Sequence, residues 1–514
     1  MSLNPDNLLE SLGRHVHLGH ATRDACFLRQ VALAVSAPGA PLPQAADLAG
    51  SGWPDLLSLY RFAANEAMAL PALRLARART VLDPLPLGAD LLVIHDLTQL
   101  DYSRHNSKRD RRPIGDHGGM GYEYASCLAV DPHTATVLGV LHDTVINAHG
   151  PDDRDAMDYD YQPLFADFSP EDKKRLAENH CHQMAVHVRG LAPLLAPYRP
   201  VDVADREFDD LFVLHSATEG RRSFVIRCKA NRNVQVRCHP WLPAEALTPK
   251  QAGHPCPPGW ICAHLAPLVQ AVPLARYKTL PLDKDGRVAH TAPAAARMAH
   301  LSIGACRVRL YRPAKRNQRY FRLPEPIELN LVVIRETAPP AGVVPLLWVL
   351  FTNLPVDTPE QLAWVGHLYE LRWATEPFYR LLKSGYRVER EKLDSADKIA
   401  RTLVVLTTAA MAVLHLKADL GLPVEGHLGD EDYRRIKEAV REPNNPHIPL
   451  PLRLFALVVR YGGWIGRRSD RIGPTILMRG LLQVLAILDA FARCGPLLEE
   501  AQQHSDIIRR MFCV

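Results

Sequence analysis

A chain of 514 residues is too long for a single compact core and predicts roughly two to four domains. An apolar share of 47% with 23% charged residues excludes a disordered or collagen-like chain and fits an ordinary folded protein. Lys plus Arg (61) exceed Asp plus Glu (56) by only five, so bulk charge permits a nucleic-acid partner without arguing for one.

The first region, to about residue 78, reads as helical. Ala21 to Val35 has helix-length apolar spacing, SAPGAPLP follows as a loop, and a second helical pattern runs through Leu56, Tyr60 and Phe62. Arg23, Arg29 and Arg61 punctuate it, on faces that solvent alone would also explain. From residue 91 the pattern changes. LLVIHDL is a continuous apolar run of the kind buried on both faces of a sheet. GYEYASCLAVD and ATVLGVLHDTVI follow as two strands of an antiparallel meander. The segment from Ser169, SPEDKKRLAENHCHQMAVHVRGLAPLLA, predicts a helix with a Ser-Pro-Glu-Asp start, and YRPVDVADRE and SFVIRCKANR predict two more strands. Three strands, a helix and two strands is the order of the ribonuclease-H-like α/β fold, an analogy of topology only.

Residues 231–342 are Pro-rich and predict a β-rich insertion with short strands such as ACRVRLYR and IELNLVVIRE; WVLFTNLPV then resumes a buried strand. From Gln361 the chain is largely helical. The apolar stretch Thr402 to Leu416, closed by Arg401 and Lys417, is too short and too rich in Thr and Ala for a membrane span, so a buried helix and no membrane partner are expected. Ten scattered cysteines and an opening segment without an apolar core predict a reducing, cytoplasmic location.

Two carboxylates occupy equivalent places. Asp96 ends LLVIH and Asp205 ends PVDVA, where a side chain at a buried strand end is held rigidly and can meet a divalent cation; a turn or helix N-cap role fits either residue as well. Tyr369, Arg372, Glu376 and Lys383 lie at offsets of 0, 3, 7 and 14, within roughly 60° of arc if the segment is one helix. A solvated stripe with Arg372–Glu376 pairing would have the same pattern. Pro377 sits inside that span and predicts a kink, or a helix starting near Thr375.

The segment YELRWATEPFYRLLKSG resembles the Tyr-x2-Arg-x3-Glu-x6-Lys signature of the insertion-sequence-4 family of DDE transposases, including Trp373 and the final Lys-Ser-Gly. IHDLTQLDYS and VADREFDD are similar to that family's first- and second-aspartate segments, with Leu97 where many members carry threonine. LGHATRDACFLRQVALAVSAPGAPLPQAA with LYRFAANE, and LVVRYGGWIGRRSDRIGPTILMRGLLQV, resemble the amino- and carboxy-terminal regions of the transposon-five transposase and its relatives.

The resemblance implies an N-terminal helical DNA-binding domain (1–78), a ribonuclease-H-like catalytic domain (79–418, with the insertion at about 231–342) and a C-terminal helical dimerisation domain (419–514). It implies Asp96, Asp205 and Glu376 as catalytic ligands of two Mg²⁺ or Mn²⁺ ions. Terminal inverted repeats of double-stranded DNA would be cut through a hairpin intermediate and joined to target DNA by a homodimer, in a bacterial cytoplasm and on the nucleoid. Tyr369, Arg372 and Lys383 would hold phosphates, and Trp348, 21 residues before Tyr369, would stack a flipped base unless it is a core tryptophan. Arg227, Lys229 and Arg232 would line DNA, Arg206 would contact a phosphate or orient a carboxylate, and Arg61 belongs to the N-terminal DNA-binding segment. Lys315, Arg316 and Arg319 form a further basic cluster. Two other outcomes are an inactive or domesticated DNA-binding relative and a nuclease that cuts without joining. His254, Cys256, Cys262 and His264 have donor types that suit zinc, at a spacing off the usual pattern.

Overall fold

The computed structural model describes residues 5–36, 52–115, 118–152, 180–229, 231–248, 256–282, 297–311, 326–415, 430–464, 466, 472–473, 476–481 and 483–484. Four helices open the chain: α1 (Pro5–His15), α2 (Ala21–Ser36), α3 (Gly52–Ala64) and α4 (Leu70–Leu82). Leu8 and Leu12 of α1, and Phe27, Val31 and Val35 of α2, recur every fourth residue and are buried. Phe27 stacks on Phe62 of α3 with ring centroids 6.0 Å apart, which locks the second helix to the third. Helix α4 runs past residue 78 and packs on the sheet, so no loop divides the N-terminal helices from the sheet at that position.

The meander comes next. Strands β1 (Asp90–Asp101), β3 (Gly119–Asp131) and β4 (Thr136–Asn147) pair antiparallel, with the short β2 (Arg112–Ile114) and β5 (Gly150–Pro151) on its flanks. Helix α5 (His180–Leu195) then leads to β6 (Arg199–Ala204), and helix α6 (Leu211–Glu219) leads to β7 (Ser223–Arg227). Both strands run parallel to their neighbours, β6 to β1 and β7 to β6. Helix α6 goes beyond the elements expected from sequence, although Asp210 caps its first turn and Gly220 comes directly after its last residue.

The Pro-rich segment continues the same sheet. It supplies β8 (Asn233–Arg237), β9 (Trp260–His264), the short helix α7 (Leu265–Ala271), β10 (Ala275–Leu282), β11 (Arg297–Leu310) and β12 (Ile327–Thr337), and β13 (Leu347–Thr352) joins them to β7. Among the described residues the sheet has 13 strands, with central order β5-β4-β3-β1-β6-β7-β13-β12-β11-β8-β9. The architecture is α/β, with a large, mostly antiparallel sheet.

The remaining helices are α8 (Pro359–Glu370), α9 (Thr375–Arg380), α10 (Ala396–His415), α11 (Asp430–Arg441) and α12 (Leu450–Tyr461). Helix α10 is longer than the apolar run read from sequence because Ala396–Arg401 add turns before it. At 20 residues it is long and apolar enough to cross a membrane by length and composition, yet 89% of its apolar window is buried against α2, α4 and β4.

Gly139 of β4 sits where α4 and α10 converge on the sheet. Its φ is +146°, and a Cβ there would come within 2.7 Å of Val81 Cγ2 and 3.1 Å of Met411 Cγ. Gly139→Ala is therefore expected to cost about 1–3 kcal/mol through backbone strain and overpacking. Denaturant unfolding checks this; an unchanged midpoint would mean that both helices give way freely.

Candidate active site

Strands β1 and β6 are paired in parallel up to His95↔Ala204, so the next residue on each, Asp96 and Asp205, emerges at the same level of the sheet. Asp205 ends its strand by capping a 3-10 turn, Arg206–Phe208, where its carboxylate accepts from the Glu207 amide at 2.8 Å. Asp96, expected at a strand end, instead lies within β1, which runs on to Asp101 because residues 97–101 stay paired with β3; Asp96 itself is opposite Ser126. The Asp96 Oδ1 accepts from the Leu97 amide at 2.9 Å, and its Oδ2 accepts from the Thr375 hydroxyl at 2.6 Å. The Arg372 guanidinium is 3.7 Å from the same Oδ2. Burial raises the Asp96 carboxyl above its ordinary range, against Arg372, Thr375 and the Leu97 amide, and the charge on Asp205 adds to the rise. For Arg372, burial works against the charge, but Tyr369, Asp96 and Asp205 together hold it above its usual value. One guanidinium thus faces two carboxylates.

The signature segment is not one helix. Helix α8 starts at a capping box, Thr358 with Gln361, and stops at Glu370. Leu371–Ala374 form a 3-10 turn, α9 begins at Thr375, and Leu381–Gly385 form a π turn. Pro377 is the reason: with Ala374 as N-cap it falls in the first turn of α9, where a missing N–H leaves no bond unmade. The expected single face is replaced by three short turns that separate its members. Thr375 and Arg372 face Asp96, whereas Lys383 donates to the Gln99 carbonyl and lies 3.5 Å from Glu389. Glu376 is exposed, with no hydrogen-bond or ion-pair partner among the described residues. Asp96, Asp205 and Glu376 do not each bring an oxygen within 4.8 Å of the other two; the described cluster that meets that distance is His95, Cys127 and His187.

Tyr369 is 1% exposed, and burial raises its hydroxyl above the ordinary range, against the charges of Arg372 and Arg227. Trp348 is also 1% exposed and meets the Tyr369 ring edge-on at 5.3 Å. It occupies the core position that its strand context allowed, with no open face for a base.

The basic residues divide. Arg206, Arg227 and Lys229 line an open cleft of about 580 Å³, together with Asn231, Leu347 and Val349. Arg232, half-buried, instead pairs with buried Asp209 at 2.7 Å and lies over the Phe351 ring at 5.5 Å, so a carboxylate of the protein already balances its charge. Arg61 is exposed in the last turn of α3. Lys315, Arg316, Arg319 and His254 lie outside the described residues. Cys256 and Cys262 stand with their sulfurs 3.0 Å apart, and the exposed His264 joins no metal-ligand group with them among the described residues.

Sequence reasoning overlooked Thr375, the direct partner of Asp96; its place beside Glu376 in the signature segment was the available signal. It also overlooked buried Asp202, which takes two bonds from Arg222, at 2.9 and 2.8 Å, and lies 2.7 Å from His95 Nε2. No protein-family model matches the chain.

Proposed function

We propose that the chain is a DDE-type DNA transposase that binds transposon-end repeats in double-stranded DNA, cuts them through a hairpin intermediate and joins them to target DNA. The observation that carries the reading is that Asp96, within β1, and Asp205, just past the end of β6, come directly after the last paired residues of these parallel strands, with Arg372 and Thr375 from the signature segment on Asp96. The sheet order supports it: an antiparallel meander, then two parallel strands on the far side of β1, is the arrangement expected of a ribonuclease-H-like core.

The donor set fits a hard divalent cation. Asp96 and Asp205 supply carboxylate oxygens at one level, Glu376, one residue from Thr375, is an exposed carboxylate with no partner among the described residues, and Arg372 already balances negative charge there. Mg²⁺ or Mn²⁺, two per site, would be held by Asp96, Asp205 and Glu376 and would supply the charge that activates an attacking oxygen and steadies a leaving one. Thr375 fixes the Asp96 carboxylate, and Arg372 lies beside it. The Arg206, Arg227 and Lys229 cleft receives phosphates. A synaptic homodimer working on bacterial nucleoid DNA completes the proposal.

A second reading, a non-catalytic relative that occupies transposon ends, is favoured by the separation of the three carboxylates. Incubating the protein and Mg²⁺ with a labelled duplex that carries its terminal repeat separates the two. Hairpin-ended flank or excised ends support the transposase; tight binding without cleavage supports the relative; nicking without joining indicates a nuclease.

The cleft makes a separate prediction. Arg206 and Lys229 are exposed on its wall, so Arg206→Ala/Lys229→Ala should weaken duplex binding across sequences and flatten the log K against log salt slope by about 1.8. An unchanged slope would remove the cleft from the DNA path.

A further inference from the structure

Behind Asp96, on the opposite face of β1, three donor side chains converge. His95 of β1 and Cys127 of β3 are cross-strand partners, and His187 reaches down from α5, which covers this face of the sheet. The Cys127 sulfur lies 3.3 Å from His95 Nδ1 and 3.0 Å from His187 Nδ1. All three residues are at most 2% exposed, and their donor atoms lie within 4.8 Å of one another. Each imidazole is held through its far nitrogen: His95 Nε2 is 2.7 Å from Asp202 Oδ1, and His187 Nε2 is 2.8 Å from Thr144 Oγ1. Because a carboxylate only accepts, His95 Nε2 carries the proton and its Nδ1 lone pair points at the sulfur when the ring is neutral. A ligand histidine braced through its other nitrogen by a carboxylate is the recurrent outer shell of protein metal sites.

We propose that His95, Cys127 and His187 bind one thiophilic transition-metal ion, Zn²⁺ or Cu⁺, as a structural staple between β1, β3 and α5. One thiolate and two imidazoles suit these ions and not Mg²⁺, so the site is distinct from the carboxylate site on the other face. On binding, the Cys127 S–H gives its proton to solvent and the thiolate and both Nδ1 lone pairs bond the ion; no electron changes hands. The ion would fix the strand that carries Asp96 from behind. Since its ligands are buried, it enters before the sheet and α5 close.

The test is metal content. Untagged full-length protein, expressed in medium supplemented with zinc and copper and dialysed without chelator, is analysed by plasma mass spectrometry. Near one equivalent of zinc or copper is expected, falling at least fivefold in Cys127→Ser and His187→Asn and persisting in Cys256→Ser/Cys262→Ser. Wild-type protein refolded with Co²⁺ should show a thiolate-to-cobalt absorption band, a readout that does not depend on a variant folding. No bound zinc or copper with no such band overturns the proposal, as does metal lost from Cys256→Ser/Cys262→Ser but kept in Cys127→Ser.

Discussion

Asp96→Asn is expected to lower Mg²⁺-dependent DNA cleavage by on the order of 10³-fold or more while duplex binding stays within a few-fold of wild type. The amide keeps the volume of the carboxylate but has a single acceptor: its oxygen can still take the Leu97 amide, while the Thr375 hydroxyl turns to accept from the new NH2 and donates to the Arg372 carbonyl 3.2 Å away, so the local fold should change little. What it loses is the negative charge that a divalent cation needs and that Arg372 now faces at 3.7 Å. Glu376→Ala should behave the same way, since its exposed carboxylate has no structural partner among the described residues. Thr375→Val should be intermediate, because it removes a bond that orients Asp96 and leaves the charge in place. Cleavage and mobility-shift assays on the same duplex separate the outcomes. Loss of binding in Asp96→Asn, or cleavage retained in both carboxylate variants, would sink the assignment.

The second large effect concerns stability. Asp143 of β4 is fully enclosed and takes 2.8 Å bonds from Arg74 Nε, Arg77 Nη1 and the Tyr124 hydroxyl. Arg74 also bonds Asp152 at 2.7 Å, and Arg77 bonds Thr407 of α10 at 2.7 Å. This network ties α4, β4 and α10 together beneath the sheet. Asp143→Asn leaves two guanidinium groups in the core with one carboxylate removed, and should destabilise the protein by about 3–5 kcal/mol. Breaking the exposed Arg14–Glu10 pair, 3.3 Å long, should cost under about 1 kcal/mol.

The pH dependence has a definite sign. Burial alone would raise the Asp143 carboxyl, but Arg77 and Arg74 outweigh it and hold it well below the ordinary carboxylate range. A group depressed in the folded state stabilises above its unfolded pKa, about 3.9, and that contribution fades as pH falls toward the folded value. The gap between wild type and Asp143→Asn should therefore be constant near neutrality and narrow below about pH 4. Denaturant unfolding at several pH values measures it; a gap that widens on acidification would contradict the pairing.

Several features were settled by local chemistry and could be read directly from the sequence. The apolar run LLVIH was legible as a buried strand, although β1 runs on past Asp96 to Asp101, because pairing with β3 and not the apolar run sets its end. Pro377 cannot sit in a helix interior without cost, and its ring dictates the break before Thr375. Tertiary structure decided which charged and aromatic side chains face solvent, because that depends on partners distant in sequence. Arg227 and Arg232 look alike in IRCKANRN, yet Arg227 lines the cleft while Arg232 pairs with Asp209. Trp348 is enclosed because Tyr369, from a later helix, packs on it. In the sequence Asp96 and Asp205 look alike, each following an apolar run, and only the parallel register of β1 and β6 brings them to one level of the sheet, Asp96 within its strand and Asp205 just past the end of its own. The same holds for Asp143 with its arginines and for His95, Cys127 and His187: each residue alone is an ordinary letter, and only the folded sheet brings them within bonding distance.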